Sequence, residues 1–429
     1  MDYDEALAFL DEHVNLEAMP PRGAERRLEA MRRLMEIMAK PQRQYPVLHL
    51  TGTNGKTTTA RVLTALLVAK GLSVGTFTSP HLERVNERLA WNGEPIPDGA
   101  FGQVVGDVAA LEPMLERRAS WFELVAAAAF RWFADVVVDA AVIEVGLGGR
   151  YDTTNVADGT VAVVTNVGVD HLEYIGPTEL DIAVEKAGIV KPGSTLVLGE
   201  RDQELAEIFR GAGAAEVWER DREWGCERSR VAHNGRLLDL YTPAARYEEM
   251  YLPLHGAHQA DNAAAALAAA EAFFGAPVEE DVVAEALSSV RSPGRMEVVG
   301  HRPLVILDGA HNPDGARAAA ATIEDEFSVV AGRILVVGLL KARDPREMLE
   351  ALGTEGVRLV VACPPDLTRA MPPAEVAAAA RDLGLPAEVA PTVAAGVRRG
   401  REVAEADDLV LVTGSLYTVG AARTALAAG

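Results

Sequence analysis

Short apolar runs alternate with longer segments of helical periodicity along most of the chain. Apolar residues at helical spacing predict helices within residues 1–45, interrupted at Pro20-Pro21. The apolar runs predict strands at residues 46–50, 73–78, 139–145, 160–166, 195–199, 304–307, 333–337, 357–362 and 409–413. The periodic segments predict helices at residues 58–70, 101–118, 120–134, 178–190, 203–211, 314–327, 345–352, 373–383 and 417–427. This alternation predicts parallel sheets covered by helices.

Residues 226–252 do not follow this alternation. Two short segments, 230–233 and 236–241, flank Asn234-Gly235, a residue pair that favours a tight turn. We therefore predict a β-hairpin with a type I′ turn at this position. The residues after His255 then predict an alanine-rich helix that extends to about Phe274.

A glycine-rich segment, TGTNGKT, joins the first predicted strand to a predicted helix. Gly52 and Gly55 allow backbone N–H groups to face a phosphate, and the helix N-terminus adds partial positive charge. Lys56 can reach the β- and γ-phosphates of a nucleotide, and the Thr57 hydroxyl can hold Mg²⁺. The first glycine of the general pattern would fall on Leu50, but the strand before and the helix after are the context that the motif requires. The segment therefore predicts a nucleotide triphosphate site.

These elements together predict an α/β protein of two domains. The N-terminal domain, residues 1–293, is predicted to be an ATPase domain with the phosphate loop on a mostly parallel sheet. The C-terminal domain, residues 294–429, is predicted to be a smaller, Rossmann-like α/β unit. The boundary is set in SSVRSPGR, a polar segment in which Pro293 and Gly294 interrupt the alternation.

Residues with metal-binding capacity follow three further predicted strands: Ser79, Glu144 and His171. Taken alone, Ser79 fits a Ser-Pro turn and a single histidine is usually structural. The carboxyl ends of parallel strands, however, meet at one sheet edge, where doubly wound sheets bind ligands. A buried carboxylate such as Glu144 is costly unless it is paired or binds a metal. We therefore predict that the three side chains share one metal and phosphate site beside Lys56.

Two other polar residues have ordinary structural explanations. Lys186 can be a solvated lysine or a partner of Glu185, and Asn262 can be a polar cap near a helix start. The residues alone leave both alternatives open.

Charge and cysteine content exclude several classes of protein. The chain of 429 residues carries 41 basic and 63 acidic residues, a net charge of −22, which argues against a nucleic-acid or anionic membrane surface. An anionic substrate in a locally basic site is still allowed. Cys226 and Cys363 are too few for a disulfide framework and favour a reducing, cytoplasmic location. No apolar run reaches the roughly 18 residues of a membrane span.

The chain resembles the folylpolyglutamate synthase/dihydrofolate synthase family of the Mur ligase superfamily along nearly its whole length. The segments that carry the resemblance are TGTNGKT, TSPHL, EVGLGGRYDTTN, NVGVDHLEYIGPTELDIAVEKAGIVKPG, HQADNAAAAL, SPGRMEV, LDGAHNPDG and TGSLYTVG. One departure is Gly55-Lys56-Thr57-Thr58, where many family members have GKGS and the peptidoglycan-building Mur ligases have this sequence. The lysine and a hydroxyl are kept, so the phosphate chemistry is retained.

The resemblance implies an ADP-forming ligase that phosphorylates a carboxylate with ATP and lets an amino group attack the acyl phosphate. The implied substrates are L-glutamate and either dihydropteroate or a reduced folate. The implied enzyme is a cytoplasmic monomer without nucleic-acid or membrane partners. The motifs do not distinguish dihydrofolate synthesis from polyglutamate extension.

The resemblance also implies the roles of individual residues. Mg²⁺, as two ions, is implied at Thr57, Ser79, Glu144 and His171, and CO₂ is implied as a carbamate on Lys186. ATP contacts are implied at Thr53, Asn54, Gly55, Lys56, Thr57, Thr58, Asn262, Arg295 and Asp308. Substrate contacts are implied at Ser79, Pro80, His81, Leu82, Phe122 and Asp152. The implied catalytic residues are Lys56, Lys186 and His311, the last as a base or a positioning group.

Two other functions are alternatives. A Mur-type or other amino-acid ligase would apply the same nucleotide chemistry to a non-folate acid. A nucleotide-switch binding protein would hydrolyse ATP slowly and signal through domain motion, but it leaves the predicted metal ligands unexplained. In the ligase, two domains that each supply part of the ATP site would close and shield the acyl phosphate from water.

Overall fold

Three β-sheets organise residues 1–15, 27–169, 175–327 and 330–427, the ranges that the computed structural model describes. The first sheet contains β1 (Val47–Thr51), β2 (Val74–Phe77), β3 (Leu89–Trp91), β4 (Glu94–Pro95), β5 (Ala140–Glu144), β6 (Gly159–Val164), β7 (Thr195–Leu198) and β8 (Glu216–Glu219). The second contains β9 (Gly225–Ala232), β10 (Gly235–Tyr241) and β11 (Arg246–Leu252). The third contains β12 (Glu297–His301), β13 (Leu304–Leu307), β14 (Arg333–Val337), β15 (Val357–Ala362), β16 (Ala387–Val389) and β17 (Leu409–Thr413).

The first sheet has the strand order β4-β3-β2-β5-β1-β6-β7-β8. Its six strands from β2 to β8 in this order are parallel, and β3 and β4 add an antiparallel edge. On the central strand β1, Leu50 is level with Glu144 of β5 and Val163 of β6. The loops after β1, β2, β5 and β6 therefore emerge at one edge of the sheet, where such folds bind ligands.

Helices cover both faces of the first sheet and pack against the third. Those in the first part of the chain are α1 (Tyr3–Asp11), α2 (Arg27–Ile37), α3 (Lys56–Ala69), α4 (Asp98–Ala109), α5 (Trp121–Asp135), α6 (Glu179–Ala187), α7 (Gln203–Arg210), α8 (His258–Phe274) and α9 (Glu280–Ser289). Those after the second sheet are α10 (Pro313–Glu326), α11 (Pro345–Ala351), α12 (Pro373–Asp382), α13 (Val393–Val403) and α14 (Leu416–Ala427).

The alanine-rich helix α8 packs against α3, the helix that follows the phosphate loop. Ala263, Ala266 and Ala270 are fully buried between the helices and the sheet. Small side chains let helix axes approach closely, so α8 brings its first turn to the phosphate loop. The buried alanines therefore hold the polar residues of the first turn of α8 beside the phosphate loop.

The third sheet has the order β12-β13-β17-β14-β15-β16, parallel except for β12 at its edge. The predicted fold class is confirmed: a mostly parallel sheet with the phosphate loop precedes a second, smaller α/β sheet. The predicted boundary between residues 293 and 294 lies between α9 and β12 and stays a prediction.

The helix predicted over residues 101–118 is wrong in extent. Helix α4 begins at Asp98, ends at Ala109, and is followed by a short 3₁₀ turn, Glu112–Met114. Pro113 explains the stop, because proline lacks an amide hydrogen and disfavours helical backbone in the residue before it.

The predicted hairpin forms, but its turn is not type I′. Ala232 pairs with Gly235, so the loop residues are His233 and Asn234, and of these two only Asn234 has positive φ, at 54°. A type I′ turn requires positive φ at both loop positions. The sequence analysis also missed β11, the third strand of this sheet. Its charged residues interrupt the alternation of apolar and polar positions that predicts a strand.

Other elements were missed because they are short or polar: β3, β4, β8, β12, β16, α9 and α13. The Pro20-Pro21 break falls outside the described residues. Among the helices of the described ranges, none is long and apolar enough to cross a membrane.

Candidate functional site

The phosphate loop depends on two glycines whose backbone conformations other residues rarely adopt. The φ angle is +153° at Gly52 and +84° at Gly55. A Cβ atom on Gly52 would lie 1.8 Å from the Thr165 hydroxyl oxygen, and one on Gly55 would lie 2.3 Å from the Asn262 side-chain oxygen. Helix α3 begins at Lys56, so its unpaired N–H groups face the loop. The loop therefore has the geometry of an anion-binding site.

Asn166 supports this loop from the end of the neighbouring strand. Its side-chain oxygen accepts the backbone N–H of Thr53 at 3.1 Å and that of Asn54 at 2.9 Å. The Lys56 ammonium donates to the Gly52 carbonyl at 2.8 Å, which keeps its charge over the loop. Sequence reasoning missed Asn166 because it placed this residue in a strand, whereas β6 ends at Val164.

Glu144, the last residue of β5, is buried beside the phosphate loop. The Thr57 hydroxyl donates to its carboxylate, 2.9 Å from Oε1 and 3.0 Å from Oε2. The backbone N–H of Ser79 donates to Oε2 at 3.1 Å. Burial raises the pKa of Glu144, and the nearby Lys56 charge opposes that shift. A carboxylate beside a hydroxyl supplies oxygen ligands of the kind that Mg²⁺ prefers.

Two of the three predicted strand-end groups, Ser79 and Glu144, are thus brought together. The third, His171, lies outside the described residues. Within residues 1–15, 27–169, 175–327 and 330–427, no three His, Cys, Asp or Glu side chains form a group that could hold a metal ion. The ligand candidates that the structure does describe are therefore one carboxylate and the hydroxyls of Thr57 and Ser79, and their metal roles stay predictions.

One cavity of about 330 Å³ collects most of the predicted site residues. Those that line it are Thr53, Asn54, Gly55, Lys56, Thr57, Thr58, Ser79, Pro80, Glu144, Lys186, Asn262, Arg295, Asp308 and His311. Four predicted substrate residues are not part of this lining: His81, Leu82, Phe122 and Asp152. The nucleotide and metal predictions therefore converge on one space, and the substrate predictions do so only in part.

Lys186 is 4% exposed and lies near the end of α6, facing the same cavity. Gly149 allows this approach, because a Cβ atom there would lie 2.9 Å from the Lys186 carbonyl oxygen. The alternative of a solvated surface lysine is wrong, since the side chain is buried. Carbamylation of this residue stays a prediction.

The C-terminal sheet supplies the opposite wall of the cavity. Asp308 follows β13 and accepts the backbone N–H groups of Met296 and Ala310, both at 2.9 Å. Arg295 donates to the Gly309 carbonyl at 3.3 Å. The His311 Nδ1 atom lies 3.0 Å from the same carbonyl, so it carries the proton and the basic lone pair is on Nε2.

A hydrogen bond links the phosphate loop directly to the C-terminal part, where the Asn312 amide donates to the Asn54 side-chain oxygen at 3.0 Å. The Thr58 hydroxyl lies 3.2 Å from that of Ser292, which belongs to the linker and not to the cavity lining. Sequence reasoning missed Asn312 and Ser292. The Asn-Pro pair before α10 was the available signal for Asn312, which is the N-cap residue of that helix.

Phe122 and Asp152 both contact the loop that follows β5. A Cβ atom on Gly146 would lie 2.6 Å from the Phe122 ring. The Asp152 carboxylate accepts the backbone N–H of Leu147 at 3.0 Å and that of Thr154 at 2.9 Å. Burial raises the pKa of Asp152. Both residues shape the loop after β5 from behind, and their substrate contacts stay predictions.

His81 and Leu82 point away from the cavity. Arg88 donates to His81 Nδ1 at 2.9 Å, and the Leu82 side chain packs against the hydrophobic core of the C-terminal sheet. Of the predicted segment 79–82, only Ser79 and Pro80 face the cavity.

Two family models match the chain. They describe the Mur ligase middle domain, over residues 123–270, and the Mur ligase glutamate ligase domain, over residues 294–416. A dihydrofolate synthase/folylpolyglutamate synthase of Mycobacterium tuberculosis (strain ATCC 25618 / H37Rv) is 37% identical over 375 residues, which are 80% of this chain and 77% of the relative.

Solved structures are similar over the full length. A Mycobacterium tuberculosis folylpolyglutamate synthase complexed with ADP has a TM-score of 0.93 and 34% identity, covering 99% of this chain and 98% of that one. A bifunctional folylpolyglutamate synthase/dihydrofolate synthase with Mn, AMPPNP and L-glutamate bound has a TM-score of 0.85 and 28% identity, covering 100% and 98%. The nucleotide in these relatives agrees with the predicted class of ligand.

Proposed function

Because the chain belongs to the folylpolyglutamate synthase/dihydrofolate synthase family of Mur ligases, we propose that it joins L-glutamate to dihydropteroate or to a reduced folate. As a member of this family it is an ATP-dependent ligase. The observation that carries the proposal is the shared cavity, in which the phosphate loop, Glu144 and the Arg295–Asp308 wall face one another.

The first chemical requirement is that a substrate carboxylate approach the ATP γ-phosphate. Like charges repel, so positive groups must offset them. Lys56 over the phosphate loop and Arg295 from the opposite wall supply two such charges in the same cavity. Phosphoryl transfer would give ADP and an acyl phosphate. The glutamate amino group would then attack the acyl carbon, lose a proton and displace inorganic phosphate, which forms the amide.

Magnesium fits the groups beside the phosphate loop. Thr57 and Glu144 offer hard oxygen ligands within 3.0 Å of each other, and we propose Ser79 and His171 as further ligands. A bound ion would neutralise phosphate charge. Hydrogen bonds and the Lys56 and Arg295 charges favour the ionised Glu144 carboxylate, but its burial opposes the charged form, and a bound cation would offset that cost.

We propose that CO₂ carbamylates Lys186. Carbamylation would convert the Lys186 amine into a carbamate, whose oxygen atoms are suited to a second Mg²⁺. The position of Lys186 on the wall shared with Glu144 supports this role.

His311 is proposed to position or deprotonate the attacking amine. Its Nδ1–H is committed to the Gly309 carbonyl, so Nε2 has the lone pair that accepts a proton. Closure of the two walls through Asn54 and Asn312 would keep water away from the acyl phosphate. We further propose that the protein is a cytoplasmic monomer that binds neither nucleic acid nor membranes.

The test is phosphate release by the purified protein with ATP, Mg²⁺ and L-glutamate, with dihydropteroate and tetrahydrofolate assayed side by side. Release that requires both glutamate and one of these acids is the expected result. Release that requires neither acid, but appears with a peptidoglycan precursor or another acid, would replace the proposal by a non-folate amino-acid ligase.

A further inference from the structure

The segment that follows Ser79 is docked into the C-terminal part of the chain. Leu82 packs against the hydrophobic cluster that contains Val305, Leu307 and Val419. A Cβ atom on Gly420 of α14 would lie only 1.9 Å from the Leu82 carbonyl oxygen. Glycine is therefore required at residue 420 for α14 to approach the Leu82 peptide this closely.

Polar contacts extend this docking to the next residue of the segment, Glu83, and to the next turn of α14. Glu83 accepts hydrogen bonds from the Arg423 guanidinium and from the Thr424 hydroxyl, the latter at 2.8 Å. Arg423 also donates to Glu297 at 3.2 Å, and Glu297 accepts the Gly294 N–H at 2.8 Å. One guanidinium thus ties the segment to α14 and to the end of the linker between the sheets.

Hydrogen bonds hold the docked segment at both ends. The Glu87 carboxylate accepts three successive backbone N–H groups, those of Leu82, Glu83 and Arg84, at 2.8 to 2.9 Å. At the other end, the Ser79 N–H donates to Glu144. Only two residues lie between Ser79 in the cavity and Leu82 under α14.

We propose that α14, through Gly420 and Arg423, positions the segment 79–83 for the ligase reaction. Neither residue lines the cavity, so both act through the segment as positioning residues. The C-terminal part contributes Arg295 and Asp308 to the proposed nucleotide site. The docking of segment 79–83 against α14 would place Ser79 and Pro80 where the acid substrate binds in the same cavity. The inference rests on the proposed function for its kinetic consequence, but not for the docking itself.

The first test reverses the charges of the pair. Arg423→Glu is expected to speed hydrogen–deuterium exchange in residues 82–88 about fivefold, and to raise KM for the acid substrate by a similar factor, as befits a half-exposed ion pair. The double variant Glu83→Arg with Arg423→Glu is expected to recover part of both changes, because the swapped pair attracts again while Glu297 still faces a like charge. Arg399→Glu is the matched control, because Arg399 pairs with Glu388 inside the C-terminal part.

The second test uses steric size alone. Gly420→Ala favours helix α14 itself but inserts a methyl group against the Leu82 backbone, which must shift, so exchange in residues 82–88 should rise and Tm should fall. Gly99→Ala is the control, because a Cβ atom on this helical glycine would meet nothing within 4 Å.

Wild-type exchange in both Arg423→Glu and Gly420→Ala would overturn the docking. Faster exchange with unchanged KM and kcat, or no recovery in the charge-swapped double variant, would overturn the positioning role. If the unmodified protein forms no amide from either acid, the proposed function fails, while the exchange measurements still decide the docking.

Discussion

Asn312 and Asn54 are hydrogen-bonded at the edge of the cavity, where the Asn312 amide donates to the Asn54 side-chain oxygen at 3.0 Å. Asn54 belongs to the phosphate loop, whereas Asn312 is the N-cap of α10 and accepts the Gly315 N–H at 2.8 Å. The Asn312 side chain therefore caps helix α10 through its oxygen and binds the phosphate loop through its nitrogen.

The two roles of Asn312 can be separated by substitution. Asn312→Ser keeps a capping oxygen but is too short to reach Asn54, so we expect an unchanged Tm and a KM for ATP raised about fivefold. Asn312→Ala loses both contacts and should also lower the stability by about 1 kcal/mol. Thermal unfolding and ATP titration of both variants check this, and an unchanged KM in both would show that the contact does not serve nucleotide binding.

Arg295 is expected to serve the nucleotide although it lies outside the phosphate-loop sheet. Arg295→Ala should raise KM for ATP by about tenfold or more, because it removes a cation from the wall opposite Lys56. Arg291→Ala is the control, since that arginine is exposed on the same linker. Equal kinetics for the two variants would contradict a nucleotide site built from both sides.

The sequence predicted those site residues that a strand end or a motif fixes. Glu144 ends a buried strand, Asp308 directly follows one, and Lys56 opens the helix after the phosphate loop, so the parallel sheets determine where they lie. Asn166 and Ser292 could not be predicted, because their contacts depend on where β6 ends and on how the linker crosses α3.

The predicted substrate residues are the ones that the cavity collects least completely, for a related reason. Leu82 was assigned from a motif as a substrate contact, but its burial against Val419 depends on how two sheets pack together. Sequence periodicity reports the buried face of each element, and it carries no information on packing between distant parts of the chain.

Lys186 is predicted to be indispensable as a carbamate rather than as a cation. Lys186→Ala and Lys186→Arg should both lose nearly all turnover, and added bicarbonate should restore neither, because neither side chain has an amine to carbamylate. Near-wild-type activity of Lys186→Arg would show that positive charge is sufficient. Mass spectrometry of the intact protein in bicarbonate provides a second measurement, with an expected gain of CO₂ on the unmodified chain alone.

We expect the charged Glu144 carboxylate to lower the stability of the fold in the absence of metal and to be needed for metal binding. The carboxylate is 1% exposed and its pKa is raised by burial, so the folded protein bears a cost for keeping it charged. Glu144→Gln keeps the shape of the side chain and accepts the Thr57 and Ser79 hydrogen bonds, and it removes the charge. We therefore expect its Tm in EDTA to exceed that of the unmodified protein, with a gain of about 1 kcal/mol in stability.

The same substitution should weaken the response of Tm to magnesium. The unmodified protein should gain Tm when Mg²⁺ and ATP are added together, because ligands that bind only the folded state stabilise it. Glu144→Gln should gain less from Mg²⁺ with ATP and should lose turnover, since a neutral amide is a weaker ligand for a hard cation. Glu324→Gln, on the exposed surface of α10, is the control and should match the unmodified protein in both measurements. A lower Tm of Glu144→Gln in EDTA would mean that the carboxylate stabilises the fold, and an undiminished magnesium response would remove Glu144 from the metal site.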